Sequence, residues 1–202
     1  MARVFSWCVI YICIKCAHIW LNQPVGVRPL PVYWINLDTS ILRRKSMLNN
    51  LHNIKNVRIS AVNNTLAKRE AKNKQFSGVT FMEFSNETNI YKKHLSNTYS
   101  YIELACTLSH IKAIRQAYND GREIAIITED DVQFLPFFWT LIPYFIKKAP
   151  VDWDVLQLYT THHRVIVHAC NLNDPWIIWK PYFWGTQGYV IRRKGMEKIL
   201  SN

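Results

Sequence analysis

Three consecutive carboxylates, Glu129, Asp130 and Asp131, are the residues of this chain whose types and spacing most clearly suggest chemistry. They follow the run Ile124–Thr128, whose apolar and β-favouring residues are typical of a buried strand in a mostly parallel sheet. Ligands of open α/β sheets bind beyond the carboxyl ends of the strands, where hard carboxylate oxygens suit a divalent cation that carries phosphates. The same pattern also fits a solvated acidic turn after a strand.

The elements that must position these acids alternate between strands and helices. The best-defined helix covers residues 101–119, where apolar residues recur on one face and Gly121 is placed to terminate the helix. A β-α-β unit precedes it, and Asp38, Thr39 or Ser40 can cap the helix of that unit. The remaining patterns predict strands at residues 32–37, 57–62, 154–159 and 189–191, and helices at residues 41–51, 65–72 and 137–148. This order predicts one α/β domain with a largely parallel sheet.

The composition is that of a globular domain with a preference for anionic partners. The chain has 202 residues, of which 49% are hydrophobic and 19% charged, enough to build one stable core. The net charge of +11 suggests a phosphate-bearing substrate, a nucleic acid or a membrane headgroup layer, so peripheral membrane contact is one expectation. No run of lysine and arginine reaches five residues, and basic residues do not alternate with aromatics along any helix. Nucleic acid is therefore not expected to be the main partner.

Residues 1–29 form an N-terminal apolar segment followed by a linker, and we place the folded domain at residues 30–202. The apolar run at residues 4–14 has the length of a signal-peptide core. A cleaved signal or weak anchor, an extra helix packed on the domain, and an accident of the assigned start are the alternatives. If residues 4–21 are a signal or anchor, the protein enters the secretory pathway or associates with a membrane; otherwise it is cytoplasmic.

The cysteines and most histidines do not predict a metal site. Five cysteines are an odd number, and three of them lie in the first sixteen residues, which argues against a disulfide framework. Cys13 and Cys16 have the spacing of a zinc or redox pair, but no second ligand pair lies nearby and the stretch is apolar, so we interpret the spacing as incidental. His162, His163 and His168 lack a compact pattern with nearby acids, so we interpret them as loop residues.

Four separated segments together resemble glycosyltransferase family 25, which includes bacterial lipopolysaccharide galactosyltransferases and collagen-modifying galactosyltransferases. They are Tyr33-Trp-Ile-Asn-Leu-Asp38 with Arg43 and Arg44 downstream, Ala105-Cys-Thr-Leu-Ser-His110, Ile127-Thr-Glu-Asp-Asp-Val132, and Gly185-Thr-Gln-Gly-Tyr-Val-Ile191 with Lys194 and Gly195 after it. Their order and approximate spacing match the family over roughly residues 31–200.

The resemblance implies a GT-A-like, Rossmann-type fold, in which a mostly parallel sheet is flanked by helices. It also implies transfer of a hexose, galactose or glucose, from a UDP-sugar donor to a hydroxyl of a glycan or glycoprotein acceptor. Inversion at the anomeric carbon and assistance by Mn²⁺, or by Mg²⁺, complete the expectation. Such a reaction needs charge stabilisation on the leaving diphosphate and a base for the acceptor hydroxyl.

The acids and His110 are the expected catalytic residues. Asp131 is expected to be a metal ligand, and Glu129 its partner, which reaches the ribose or orients the metal shell. Strand alternation would point these two side chains the same way and turn Asp130 elsewhere, toward a helix N-terminus or an arginine. A turn at this point would reverse these roles. His110 is expected to hydrogen-bond near the phosphates or the acids, or else to be a buried structural histidine.

Substrate contacts are expected from the other motifs. Arg43 or Arg44 could pair with the diphosphate through a bidentate fork, or both could be the exposed side of a helix. Trp184 could stack on a pyranose or pack in the core. The other expected substrate-binding residues are Asn36 and Asp38 after the first strand (to contact the nucleotide or fix the loop), Ser109, Asp130, and the segment Gly185, Thr186 and Gln187, where the backbone can approach a sugar. For the base, the candidates are Asp174 and Glu197, followed by Asp152 and Asp154.

The C-terminus departs from the family pattern. In relatives the chain continues beyond the equivalent of Leu200, and an acidic residue in that continuation is often placed in the active site, whereas this sequence ends at Asn202. One expectation is therefore a truncated, inactive module that still binds a nucleotide sugar; another is that a different residue serves. A basic nucleic-acid-binding protein is the third and least supported hypothesis.

Overall fold

The computed structural model describes residues 30–72, 97–135, 137–159, 176, 178 and 185–201. The predictions for the N-terminal segment, for Asp174, Trp184 and for the three loop histidines lie outside the described residues. The strands are β1 Val32–Asn36, β2 Asn56–Ser60, β3 Ile124–Glu129, β4 Val155–Gln157 and β5 Gly188–Arg192. The helices are α1 Ile41–Asn50, α2 Asn64–Lys72, α3 Asn97–Asn119, α4 Phe138–Lys148 and α5 Arg193–Leu200.

One five-stranded sheet with the order β2-β1-β3-β5-β4 organises the chain. Strands β2, β1 and β3 pair in parallel, whereas β5 runs antiparallel to both of its neighbours, β3 and β4. Four of the five strands therefore point in the same direction. The predicted α/β class with a mostly parallel sheet flanked by helices is confirmed.

Alternation along the central strands sends side chains to two separate cores. On one face, Tyr33 and Ile35 of β1 are buried together with residues of α3 and α5, including Ile114 and Met196. On the other face, Trp34 is buried with residues of α1 and α4. The sheet is covered on both sides, which explains why β1 and β3 are nearly continuous apolar runs.

The end of α3 agrees with the sequence pattern. Gly121 has a φ of 68°, and its N–H bonds to the carbonyl of Tyr118. The N–H of Arg122 bonds to the carbonyl of Ala117, so the two bonds form a Schellman motif. This stop lets the chain turn at once into β3, which carries Glu129 to the far end of the sheet.

Several local expectations need correction. Ser40 occupies the N-cap of α1, but its side chain makes no capping hydrogen bond and instead accepts one from Arg43. Three of the periodic apolar residues of α1 are exposed rather than buried (Ile41, Leu42 and Leu48), because only Met47 and Leu51 face the sheet. Helix α5 was not predicted, since Gly195 disfavours a helix. A glycine is required at position 195 because a Cβ there would lie 2.5 Å from the carbonyl oxygen of Asp154.

Two edges of the sheet are distinguished below. The carboxyl edge is where β1, β2 and β3 end, and the amino edge is where they begin. Because β5 is antiparallel, α5 and the residues before β4 lie at the amino edge. Among the described residues, none of the helices combines the length and the apolar character required to cross a membrane.

Candidate active site

The carboxyl edge has the geometry of a ligand site between β1 and β3. The chain leaves β1 toward β2 on one side, while β3 pairs with β1 on the other side, so the connections diverge at this point. Ligands of open α/β sheets bind at such a switch point. A cavity of about 290 Å³ opens here, and its walls include Arg43, Ser109, His110, Glu129 and Asp130.

Asn36 is the centre of a saturated hydrogen-bond network at the end of β1. Its amide nitrogen donates to Asp130 Oδ2 at 2.5 Å and to the carbonyl of Ser40 at 3.2 Å. Its amide oxygen accepts from Arg44 Nε at 3.1 Å and from Arg58 Nε at 2.9 Å. These bonds use both donors and both acceptor positions of the side chain, which is only 1% exposed. Asn36 was expected either to contact the nucleotide or to fix the loop after β1, and its contacts correspond to the second role.

Asp38 and two arginines close the loop after β1. Asp38 accepts hydrogen bonds from Arg58 and, at 2.7 Å, from Ser60 Oγ, and these donors lower the pKa of its carboxyl. Arg44 donates to the backbone carbonyl of Asp38 at 2.8 Å. Arg44 is thus bound to the loop, whereas Arg43, one residue earlier, lines the cavity. Of the two arginines, Arg43 is the one placed to meet a ligand.

Asp130 is buried against Arg43. Its Oδ1 lies 3.0 Å from Arg43 NH1, and its other oxygen takes the Asn36 bond. The carboxylate side chain is 5% exposed, while the arginine is 47% exposed and extends toward solvent. The arginine toward which Asp130 was expected to turn is therefore Arg43. Arg43 also donates from NH2 to Ser40 Oγ at 3.1 Å, and the residue lines the cavity.

Glu129 lies at the end of β3 on the α3 side of the sheet, as alternation from Ala125 and Ile127 requires. Its Oε1 accepts a hydrogen bond from Thr186 Oγ1 at 2.9 Å and lies 3.5 Å from His110 Nε2. His110 lowers the pKa of Glu129 more than burial raises it, and Thr186 acts in the same direction. Glu129 is therefore held as a carboxylate.

His110 and Ser109 are buried on α3 beneath this carboxylate. His110 Nδ1 lies 3.1 Å from the hydroxyl of Tyr189 in β5. Burial lowers the pKa of His110, but the neighbouring Cys106 and Glu129 raise it by more, and the resulting pKa is about 9. Ser109 Oγ accepts from the N–H of Val62 at 2.8 Å and donates to the carbonyl of Ala105 at 2.7 Å. Ser109 thus fixes the chain after β2 to α3, at the cavity wall.

Asp131 lies in a turn rather than in the strand. Because β3 ends at Glu129, strand alternation does not extend to Asp131, and that argument for a shared direction was wrong. Asp131 is exposed and is not among the cavity residues. Partial burial raises the pKa of its carboxyl, and the charge of Glu129 acts in the same direction. Glu129 and Asp130 thus bring negative charge close to Asp131, while Arg43 acts in the opposite direction on its pKa.

The segment Gly185–Gln187 packs against the end of β3. Besides the Thr186 bond, the carbonyl of Gln187 accepts from the N–H of Glu129 at 2.9 Å and from Thr128 Oγ1 at 2.7 Å. Gly185 has a φ of 129°, and a Cβ there would lie 2.8 Å from the ring of Tyr159. The structure thus brings all three predicted residues to the acids, with Gly185 required by its backbone.

Three of the candidate bases lie at the amino edge of the sheet, away from the cavity at the carboxyl edge. Asp154 pairs with Arg192 and Lys198, Glu197 pairs with Arg193, and Asp152 precedes β4. Arg193 donates its N–H to the carbonyl of Glu123, just before β3 begins. Five residues of β3 at about 3.3 Å each separate this edge from Glu129, a distance of about 17 Å. The antiparallel direction of β5 places Glu197 at this edge. Asp152 and Asp154 lie there because they precede β4, which runs in the same direction as β3.

The fold also brings Arg58 and Asn64 to the site, and neither was predicted from the sequence. Arg58 reaches Asn36 because β2 pairs with β1 in a register that sets Arg58 opposite Trp34. Asn64 lines the cavity, and its Oδ1 is buried without a hydrogen-bond partner among the described residues. Neither residue belongs to a motif, and only the pairing of strands 22 residues apart could have identified Arg58.

Comparison with known proteins agrees with this architecture. The family described as "Glycosyltransferase family 25 (LPS biosynthesis protein)" matches residues 30–202. This chain belongs to glycosyltransferase family 25, which confirms the resemblance identified from the four motifs.

The individual relatives match only about half of this chain, at 29% to 30% sequence identity. Over 104 residues, or 48% of this chain, it is 29% identical to Procollagen galactosyltransferase 1 of Danio rerio. Over 120 residues, or 54% of this chain, it is 30% identical to the Lacto-N-neotetraose biosynthesis glycosyltransferase LgtE of Neisseria meningitidis serogroup B. The matched regions make up 17% of the first relative and 41% of the second. The chain therefore corresponds to less than half of either relative.

Proposed function

We propose that this chain is a hexosyltransferase that moves galactose or glucose from a UDP-sugar to a hydroxyl of a glycan or glycoprotein acceptor. Assistance by Mn²⁺ or Mg²⁺ and inversion at the anomeric carbon belong to the same proposal. The observation that carries it is the convergence of Arg43, Glu129, Asp130 and His110 on one cavity at the switch point of the sheet. Family membership and the galactosyltransferase relatives support the same reaction class.

The side chains at the carboxyl edge fit a hard divalent cation. Asp131 is exposed at the surface, and partial desolvation of its carboxyl together with the charges of Glu129 and Asp130 raises its pKa. Asp130 is already engaged by Asn36 and Arg43, so Asp131 would be the protein ligand, with Glu129 beside it. One or two carboxylates suffice, because Mn²⁺ and Mg²⁺ sites are completed by phosphate and water. When bound, the cation would neutralise charge on the departing diphosphate.

The residues of the chain supply the remaining electrostatics. Arg43 is half-exposed and anchored by Asp130, so its guanidinium is directed without being consumed by the ion pair. His110 has a pKa of about 9 and is therefore positively charged at neutral pH. Two cationic groups thus line the cavity beside the carboxylates Glu129 and Asp130 with which they pair, and the half-exposed Arg43 is the one placed to meet an anionic ligand.

Donor binding is tested by thermal unfolding of the full chain with UDP, with and without Mn²⁺. A ligand that binds only the folded state at 100 times its Kd stabilises it by about 2.7 kcal/mol. For a chain of this size we expect a rise in Tm of about 5 to 10 °C when both ligands are present. Asp131→Asn should remove the Mn²⁺-dependent part of this rise, and Arg43→Ala should weaken UDP binding itself.

The matched control is Asp152→Asn, which removes an equally exposed carboxylate from the amino edge and should leave the rise in Tm unchanged. An unchanged rise in Asp131→Asn would contradict the metal assignment. No stabilisation by UDP under any condition would contradict the donor site. Stabilisation by UDP without transfer or slow hydrolysis of UDP-hexoses would identify an inactive binding module instead.

A further inference from the structure

We propose that Cys106, His110 and Glu129 form a second cation site, specific for a borderline-soft divalent metal such as Zn²⁺, whose open coordination position faces the cavity. The site includes Glu129, which also lies beside the hard-cation ligand Asp131, but it differs in chemistry because its other donors are a thiol and an imidazole. The inference does not rest on the proposed transfer reaction. The observations that carry it are the juxtaposition of a thiol, an imidazole and a carboxylate from α3 and β3, and a buried ring nitrogen among them that makes no hydrogen bond with a described residue.

The three ligand atoms already lie close together. Cys106 Sγ, a ring nitrogen of His110 and a carboxylate oxygen of Glu129 are all within 4.8 Å of one another. Cys106 and His110 are four residues apart on α3, so one helical face presents both side chains. Bond lengths of about 2.0 Å to nitrogen or oxygen and 2.3 Å to sulfur place tetrahedral ligand atoms about 3.3 to 3.7 Å apart. The 3.5 Å between His110 Nε2 and Glu129 Oε1 fits this requirement directly.

The surroundings of His110 match those of a metal-binding imidazole. His110 is 9% exposed, and its Nε2 is buried and makes no hydrogen bond with any described residue, although it lies 3.5 Å from Glu129 Oε1 as an ion pair. The opposite nitrogen, Nδ1, lies 3.1 Å from the Tyr189 hydroxyl, which fixes the ring plane. Metal-bound histidines characteristically bond through the second nitrogen to such a partner. Thr186 in turn orients the carboxylate of Glu129.

The donor set selects the kind of metal. A thiolate and an imidazole favour Zn²⁺ and its neighbours over Mn²⁺ and Mg²⁺, which prefer oxygen donors. Three protein ligands leave one tetrahedral position for water or an anionic group, as in zinc sites that bind substrates. All three ligands line the cavity, so that fourth position is accessible from it.

The test uses the full chain with Cys8, Cys13, Cys16 and Cys170 replaced by serine, so that Cys106 is the one remaining thiol. Titration with Co²⁺ should show one bound ion per chain and a thiolate-to-cobalt charge-transfer band, and Zn²⁺ should displace it. Cys106→Ser should abolish the band. Glu129→Gln, which conserves shape, should weaken binding even if the cysteine variant folds poorly.

Two further variants separate the site from nonspecific binding. Tyr189→Phe removes only the outer partner of His110 and should weaken Zn²⁺ binding about 10- to 100-fold. His52→Ala removes an exposed histidine outside the cluster and should change nothing. Absence of a stoichiometric Co²⁺ complex in the parent, or an unchanged band in Cys106→Ser, would overturn the proposal; so would displacement of Co²⁺ by Mn²⁺ as readily as by Zn²⁺.

Discussion

At the carboxyl edge of the sheet, Asp130 is paired with Arg43, and at the amino edge Asp154 is paired with Arg192 and Lys198. The side chain of Asp130 is 5% exposed, whereas that of Asp154 is 28% exposed. Breaking a buried pair leaves an uncompensated charge and is strongly destabilising, while exposed pairs contribute little. Pairs of an aspartate with basic residues therefore have different roles at the two edges. At the amino edge they connect α5 to the start of β4, and at the carboxyl edge the buried pair forms part of the cavity wall.

The two edges also differ in how many of their buried polar atoms lack a hydrogen-bond partner among the described residues. At the carboxyl edge Asn36 makes four hydrogen bonds. Three buried atoms at this edge nevertheless make no hydrogen bond with any described residue, namely Asn64 Oδ1, His110 Nε2 and Gln187 Oε1, whereas at the amino edge this holds for Arg192 Nε. Buried orphan atoms are costly, and native proteins retain them mainly where a ligand or ion satisfies them. The carboxyl edge thus combines the saturated hydrogen bonds of Asn36 with three of these four atoms, which is the arrangement expected of a wall that binds a ligand.

The largest expected effect comes from Asn36→Ala. This change leaves Asp130, Arg44 and Arg58 without their common partner in a buried place, and we expect the free energy of unfolding to fall by about 3 to 4 kcal/mol. Urea denaturation measures it. Lys198→Ala, which breaks the corresponding exposed pair at the amino edge, should cost about 0.5 kcal/mol. Similar losses in the two variants would remove the distinction between the edges.

The next effect is the pH dependence of stability that arises from the ion pair of His110 with Glu129. The pKa of His110 rises from 6.5 to about 9 on folding, so the folded state binds the proton more tightly than the unfolded state. The resulting stabilisation is complete below pH 6.5 and is lost as the pH rises through about 9. It amounts to about 3 kcal/mol. We expect Tm, measured with a chelator present, to fall over this range.

His110→Gln should flatten this part of the profile, because glutamine does not titrate. Glu197→Gln provides the comparison at the amino edge, since it removes an exposed partner of Arg193 and should leave the slope intact. If the wild-type protein and His110→Gln lost stability equally between these pH values, the charged state of His110 would be disproved.

The sequence predicted the elements of this fold better than the contacts between them. Periodic apolar patterns located β1, α1, α3 and β3 because each buries a regular face against the sheet. The direction of β5 and the position of α5 depend on crossovers, to which local patterns are insensitive. The same holds for the site: Glu129 and Asp130 follow from their place after a strand, whereas Arg58 and Asn64 depend on strand register and on a loop.

A smaller effect separates two glycines with positive φ, one at each edge. Gly185, at the carboxyl edge, has a φ of 129°, and an added Cβ would meet Tyr159 at 2.8 Å and its carbonyl oxygen at 3.1 Å. Gly121, at the amino edge, has a φ of 68°, and no atom lies within 4 Å of its added Cβ. Gly185→Ala combines backbone strain with a clash and should cost about 2 to 3 kcal/mol, whereas Gly121→Ala bears only the left-handed conformation, about 1 kcal/mol.

Both variants are measured by denaturation and by binding of UDP with Mn²⁺. Displacing Gly185 moves Thr186, which holds Glu129, so its alanine variant should weaken ligand binding as well as stability. Gly121→Ala should lower stability alone, because its turn contacts the start of β3 and not its end. Were Gly121→Ala to weaken binding as much as Gly185→Ala, the acids would be positioned by the stability of the whole sheet rather than by the segment packed against them.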